Sequence, residues 1–315
     1  LHRFLKRENR VTIPKMRSFQ QPARGFNRKM AENLTIEPNS GALGARVTGV
    51  DLGASLDKAV VEAIIRAWLD HIVLVFPGQE LNQEQQLAFA RHFGETGARA
   101  RKAEERPEGA DLHEGIMLIT NDKDENGEYV GSLPDGEMFF HHDMCYVRSP
   151  HKATMLYGIA IPPDGGDTKF ANMYRAYDQI SEALKQELRG RTALQTYNYS
   201  PTEIPDVDGD LTDIHHLSQP IFVTNPESGR TALYVNRLMT ARIDGMSKDE
   251  SDPILEQLFD IIERPENVLQ HKWTPGDLVM WDNRCSCHAR TDFAPGHRRH
   301  LRRCTVQGGP MIAAA

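Results

Sequence analysis

Apolar residues return at helical spacing at Val61, Ile64, Ile65, Trp68 and Leu69 after Asp57, which predicts an amphipathic helix with one buried stripe. A continuous apolar run of strand length, Ile72-Val73-Leu74-Val75-Phe76, follows and stops at Pro77-Gly78. Asn82, with Gln85 three residues on, has the form of a capping box for a second helix ending near Phe93-Gly94. The N-terminal third therefore reads helix, strand, helix.

From 97 to 137 the pattern turns polar and is punctuated by Pro107, Gly109, Gly127, Gly131, Pro134 and Gly136, with one strand candidate at 116–120. An inserted loop of this length is either a lid or disordered. Strands are expected at 154–161 and, after Pro162-Pro163-Asp164-Gly165-Gly166, at 167–172; Ser181 caps a short helix closed by Gly190. Segments 221–224 and 231–235 flank Asn225-Pro226-Glu227-Ser228-Gly229, a hairpin signal. Ser247 and Glu250 box a helix whose stripe is Ile254, Leu255, Leu258, Phe259 and Ile262, and strands at 268–272, 278–281 and 300–306 follow. Short strands between turns, with helices in front and inserted, predict a mainly β fold with flanking helices, a cupin-like jelly roll of the double-stranded β-helix kind.

At 315 residues, 39% hydrophobic and 26% charged, the chain has ordinary globular composition. No apolar stretch approaches the roughly 18 to 20 residues of a membrane span, so no membrane partner is expected. The net charge of -7 hides an asymmetry: residues 1–30 carry nine Lys or Arg against the single acid Glu8, leaving -15 for the remainder. That head has no sustained period and reads as a disordered basic extension, with a transit peptide or nucleic-acid tail as weaker readings. An acidic body argues against nucleic acid, whose affinity rests on phosphate neutralisation. The expected organisation is a single domain over 31–308 with the loop 97–137 inserted, and a flexible tail at 309–315. Cys145, Cys285, Cys287 and Cys304 make no disulfide or zinc spacing, which favours a cytoplasmic protein; homo-oligomerisation stays open.

The chemistry-bearing pattern is Phe140-His141-His142-Asp143, joined by His288 after Trp281-Asp282-Asn283-Arg284. Two imidazoles and a carboxylate are the set that holds one side of an octahedral iron and leaves the other side to substrates, the arrangement of a non-heme iron oxygenase. On a strand, alternation would turn His141 and Asp143 to one face and His142 to the other, making His141 the better ligand. Zinc accepts the same donors, so a zinc cupin hydrolase or isomerase stays open, as does a binding module built on the basic head.

In order along the chain, Gly44-Ala45, Asp51-Leu52, Phe76-Pro77-Gly78-Gln79, Phe93-Gly94, His141-His142-Asp143, Gly165-Gly166-Asp167-Thr168, Tyr234-Val235-Asn236, Gly276-Asp277 with Trp281-Asp282-Asn283-Arg284, and Arg298-Arg299 with Arg303 resemble the taurine and chlorophenoxyacetate dioxygenase family of Fe(II)- and 2-oxoglutarate-dependent oxygenases. The resemblance implies that His141, Asp143 and His288 bind Fe(II) and that Thr168 hydrogen-bonds a carboxylate of 2-oxoglutarate. It implies that Arg299 pairs with the distal carboxylate of that co-substrate, and Arg303 with the carboxylate or sulfonate of the prime substrate. Dioxygen completes the coordination. Arg299 and Arg303 lie four apart on the last expected strand, hence on one face with about 13 Å between α-carbons, while Arg302 faces away. The family usually has Trp where Phe140 stands, and Ser or Thr in place of His142. The His and Tyr that taurine enzymes carry after Phe-Gly are absent from 96–102, where Lys102 lines up with a lysine near the substrate carboxylate of the chlorophenoxyacetate enzymes. Asn225 replaces a histidine of both groups. The expected activity is hydroxylation of a small anionic organic acid, an aryloxyalkanoate-like carboxylate favoured over taurine or another alkylsulfonate, with 2-oxoglutarate decarboxylated to succinate and CO2.

Overall fold

The structure, a computed structural model, describes residues 33–97, 112–133, 135–197, 200, 202–203, 210–294 and 296–315. The basic head, Lys102 and the 98–111 part of the inserted loop lie outside them. Along the chain run β1 (Thr35–Pro38), β2 (Ala45–Thr48), α1 (Lys58–His71), β3 (Val73–Phe76), α2 (Gln83–Arg91), β4 (Met117–Thr120), β5 (Met138–His141), β6 (Ala153–Ala160) and β7 (Thr168–Asn172). Two short helices, α3 (Met173–Asp178) and α4 (Glu182–Leu188), precede β8 (Thr192–Tyr197), β9 (His215–Pro220), β10 (Phe222–Thr224), β11 (Thr231–Leu233) and β12 (Thr240–Ile243). The last segment holds α5 (Lys248–Ile262), β13 (Val268–His271), β14 (Leu278–Asp282), β15 (Ser286–Arg290) and β16 (His300–Val306).

A seven-stranded sheet in the order β1-β2-β3-β14-β6-β16-β4 accompanies a four-stranded one, β13-β7-β15-β5. Alternation along the central strands divides their side chains between two cores. Val73, Val75, Leu156, Val279, Trp281 and Leu301 pack with Phe140, Phe170, Cys287 and Ala289 of the four-stranded sheet. Their neighbours Leu74, Phe76, Met155, Leu278 and Met280 pack with Ile64, Trp68, Leu87 and Phe89 of the first two helices. The large sheet is thus covered on both faces, which is why β3 reads as an unbroken apolar run rather than an alternating one. The result is the mainly β jelly roll with flanking helices.

The helix signals hold with one adjustment. Both capping boxes form: Asn82 with Gln85, and Ser247 with Glu250. In α1 the buried stripe is Val60, Ile64, Ala67 and Trp68, about one residue round from the expected one, because Val61, Ile65 and Leu69 are only half-buried. No loop separates α1 from β3; Ile72 makes the turn at φ 71, a conformation a β-branched residue rarely adopts, while its side chain is buried. The expected flexible tail is corrected. Thr224 N donates to Ile312 O at 2.8 Å and Ala314 N to Phe222 O at 2.9 Å, so the C-terminal residues are bound to β10, and Met311 and Ala314 pack on the core.

Candidate metal centre and co-substrate pocket

His141, the last residue of β5, faces His288 of β15 directly across the antiparallel ladder, so the two imidazoles emerge on one face with ring centroids 4.1 Å apart. Asp143 arrives differently from the expectation. It lies beyond the end of the strand, in a turn where Met144 takes φ 57, so strand alternation does not carry it to the site. The turn does: ligand atoms of His141, Asp143 and His288, all buried, lie within 4.8 Å of one another, with the Nε2 atoms of His288 and His141 3.9 and 4.0 Å from Asp143 Oδ1. His142 points away, its ring 4.3 Å from that of Tyr234 and its Nδ1 3.3 Å from Asn236 Nδ2.

Neighbouring groups orient these donors. His141 Nδ1 is 2.9 Å from the carbonyl of Phe139, which leaves Nε2 for the centre. Asp143 Oδ2 receives Thr154 Oγ1 at 2.6 Å and Arg303 Nη2 at 2.7 Å, which leaves Oδ1. The Thr154 hydroxyl accepts from Asn283 Nδ2 at 2.9 Å, and Asn283 Oδ1 accepts from Trp281 Nε1 at 2.8 Å. The Trp-Asp-Asn-Arg motif thereby acquires a structural meaning. Its Asp282 and Arg284 pair with each other, and Asp282 also accepts from Asn225, while Arg284 reaches Glu227, so this half of the motif ties the β10–β11 hairpin to β14.

Burial lowers the pKa of both His141 and His288, keeping the imidazoles neutral. Burial alone would raise that of Asp143, but Arg303, the two histidines and the Thr154 hydroxyl outweigh it and hold the carboxyl well below the usual range. Neutral nitrogens and an ionised oxygen are the states a divalent metal requires, so the donor set fits a ferrous ion.

Thr168, Arg299 and Arg303 line the same pocket as His141 and His288, between the two sheets. Trp273 Nε1 donates to Thr168 Oγ1 at 3.0 Å, so that hydroxyl keeps its own hydrogen for another acceptor. Arg299 sits one residue before β16, where the pairing with β6 slips between His300 and Leu301, rather than on the strand itself. Its Nε and Nη2 donate to the carbonyl of Gly166 at 3.2 and 3.0 Å. A Cβ on Gly166, at φ 67, would stand 2.9 Å from Arg299 Nε, so glycine is what admits the guanidinium. Burial, with Arg290 beside it, pushes Arg299 down to about 9. Arg302 faces away as expected, bonding Gln86 Oε1 at 2.7 Å and Leu81 O at 2.6 Å.

Lys102 falls outside the described residues. Asn225 is no pocket residue: it is buried under the hairpin, accepting from Glu227 N at 3.0 Å and donating to Asp282. The four cysteines are free and buried, and none lines the pocket. Sequence reading missed Arg290, which lines the pocket two residues after His288 on the same strand; alternation from His288 was the signal available.

The profile of the taurine catabolism dioxygenase TauD, TfdA family matches residues 35–305. The chain belongs to this family. It is similar to the (S)-phenoxypropionate/alpha-ketoglutarate-dioxygenase of Sphingobium herbicidovorans, 33% identical over 296 residues, covering 91% of this chain and 99% of that one. Pentalenolactone F synthase of Streptomyces avermitilis is also 33% identical, over 87% of this chain and 93% of that one. A solved taurine dioxygenase from Burkholderia xenovorans superposes with a TM-score of 0.75 at 29% identity, covering 89% of this chain and 91% of that chain. This TauD, TfdA family member is a 2-oxoglutarate-dependent dioxygenase, and its cofactor set is Fe(II), 2-oxoglutarate and dioxygen. Family membership sets aside the zinc hydrolase or isomerase. Among the described residues no helix is long and apolar enough to cross a membrane.

Proposed function

We propose that His141, Asp143 and His288 hold the ferrous ion, that Thr168 and Arg299 hold 2-oxoglutarate by its carboxylates, and that Arg303 meets the anionic end of the prime substrate. The prime substrate is a small organic acid, an aryloxyalkanoate-like carboxylate in preference to a sulfonate. One observation carries the reading: a metal-competent donor set and the guanidiniums of Arg299 and Arg303 converge on a single pocket between the sheets. A buried guanidinium is costly unless an anion meets it, and among the described residues that of Arg299 has hydrogen bonds only to a neutral carbonyl. The preference for a carboxylate rests on the phenoxypropionate relative and on the absence of the taurine-type His and Tyr after Phe93-Gly94. Lys102 is carried in the same proposal on the resemblance alone.

When bound, the metal and co-substrate supply oxidative decarboxylation of 2-oxoglutarate to succinate and CO2, coupled to hydroxylation of a nearby C–H. The chain's residues supply placement. Thr168 offers its hydroxyl hydrogen and Arg299 its remaining N–H groups to carboxylate oxygens. Arg303, already against Asp143 Oδ2, links the ligand carboxylate to the acid end of the substrate. Leu133, Met138, Leu156 and Trp281 give the pocket apolar walls that exclude water from the carbon skeleton. No general base is required. Hydroxylation beside an ether oxygen collapses to cleavage, releasing a phenol with an aldehyde or keto acid. We place the protein in the cytoplasm, where four unpaired buried thiols persist without disulfide chemistry.

A screen of aryloxyalkanoates, simple carboxylates and sulfonates for substrate-stimulated succinate formation, with Fe(II), ascorbate and oxygen, tests this reading. Aryloxyalkanoates should stimulate most; stimulation by sulfonates alone would reverse the preference.

A further inference from the structure

We infer that Arg290 is a positioning residue for the prime substrate: its guanidinium fastens Leu133, Asp135 and Gly136 so that Leu133 stands as one apolar wall of the pocket. The inference rests on the pocket assignment proposed above. Arg290 closes β15, opposite Thr168 of β7 and Met138 of β5, and is buried. Its fork is occupied by backbone. Nε donates to Gly136 O at 2.9 Å, Nη1 to Leu133 O at 2.6 Å, and Nη2 to Asp135 O. Gathering the carbonyls of Leu133, Asp135 and Gly136 with one planar group is a task for arginine, whose N–H directions are fixed, and not for the point charge of lysine.

The segment so held is strained at one residue. Leu133 takes φ 52, a conformation that bulky side chains rarely adopt and that glycine would occupy freely. Its side chain lines the pocket with Met138 and Ile119. On the other side Ser132 N donates to Leu118 O at 3.0 Å, and Ser132 bridges Ile119, so β4 and Arg290 grip the segment from two directions. An unfavourable backbone held from both sides points to a side chain whose position matters. 2-Oxoglutarate offers only two methylenes between its carboxylates, whereas an aryloxyalkanoate presents a larger apolar skeleton to such a wall. Arg290 therefore acts through Leu133, on fit and coupling, and not by touching 2-oxoglutarate.

The test is a double-mutant cycle of Arg290→Gln and Leu133→Ala in the Fe(II)-reconstituted enzyme, using the aryloxyalkanoate that most stimulates succinate formation. Each single change should raise the KM for that acid by about tenfold and increase succinate formed per hydroxylated product, while the 2-oxoglutarate KM stays within about twofold. The double variant should be no worse than the worse single, because both changes remove one wall. Arg290→Lys, the milder change, should give an intermediate KM and serves in the cycle if the glutamine variant does not fold. Multiplying effects in the double variant, or a 2-oxoglutarate KM raised about tenfold, would overturn the inference. Absence of succinate from the unaltered enzyme with every acid would instead sink the underlying function.

Discussion

Thr154 Oγ1 donates to Asp143 Oδ2 at 2.6 Å, and that hydroxyl is itself aimed by Asn283 and, behind it, Trp281. A donor on one oxygen leaves the other as the metal-facing lone pair and fixes the carboxylate plane. Thr154→Val keeps the volume and removes the donor. It should weaken Fe(II) affinity about 10- to 100-fold, with turnover recovering at saturating iron. An iron titration followed by succinate formation reads both; unchanged affinity would remove Thr154 from the support of the centre.

His142 offers a contrast within one motif. Its ring lies on Tyr234 and its Nδ1 near Asn236, away from the proposed ligands. His142→Ala should cost about 2–3 kcal/mol of stability through lost packing against Tyr234, with iron still bound. Thermal unfolding and metal content together check it. Loss of iron without loss of stability would contradict the assignment of His141 over His142.

Arg299 makes a pH prediction. Burial first, and Arg290 second, push it down to about 9, so the free enzyme begins to lose this cation as pH approaches that value. A bound carboxylate favours the charged form, so 2-oxoglutarate binding takes up a proton there, and affinity falls as pH rises through the shifted value. The 2-oxoglutarate KM should be flat between about pH 7 and 8 and climb above about pH 9. Arg299→Gln should raise it by at least about tenfold, equivalent to about 1.4 kcal/mol, and abolish the climb. A wild-type KM independent of pH to about 10 would mean that Arg299 stays protonated there, whereas an unchanged KM in Arg299→Gln would contradict the cationic role.

What the chain reveals before folding follows from which signals are local. Capping boxes at Asn82 and Ser247 are spelled within four residues, and both form. The β3 run is legible because burial on both faces leaves no polar position in it. By contrast β15, Ser-Cys-His-Ala-Arg, is entirely buried yet has no strand-like run of apolar residues, because His288 and Arg290 face the pocket. Edge strands such as β1, with mostly exposed residues, carry little hydrophobic signal. At the site, His141 and His288 were legible as residue types at family spacing, while the route that brings Asp143 in was not. A turn with Met144 at φ 57 has no glycine to announce it. Arg290 and Leu133 stayed hidden because the contacts that join them run through backbone carbonyls, which no side-chain pattern records.

The C-terminal residues give a stability prediction. Ending the chain after Pro310 removes the bonds of Ile312 and Ala314 to β10 and the packing of Met311. It should cost about 1–3 kcal/mol, lowering Tm by about 2–4 °C per kcal/mol, with 2-oxoglutarate binding unaffected. An unchanged Tm would mean that these contacts contribute nothing to stability.

Iron content after anaerobic reconstitution, measured beside succinate formation on the same samples, bears most directly on the proposed centre. The unaltered chain should retain one ferrous ion and produce succinate from 2-oxoglutarate, while His141→Ala, Asp143→Ala and His288→Ala should each remain folded and lose both. A folded variant of any of the three that kept stoichiometric iron and full succinate formation would contradict the His141, Asp143, His288 centre.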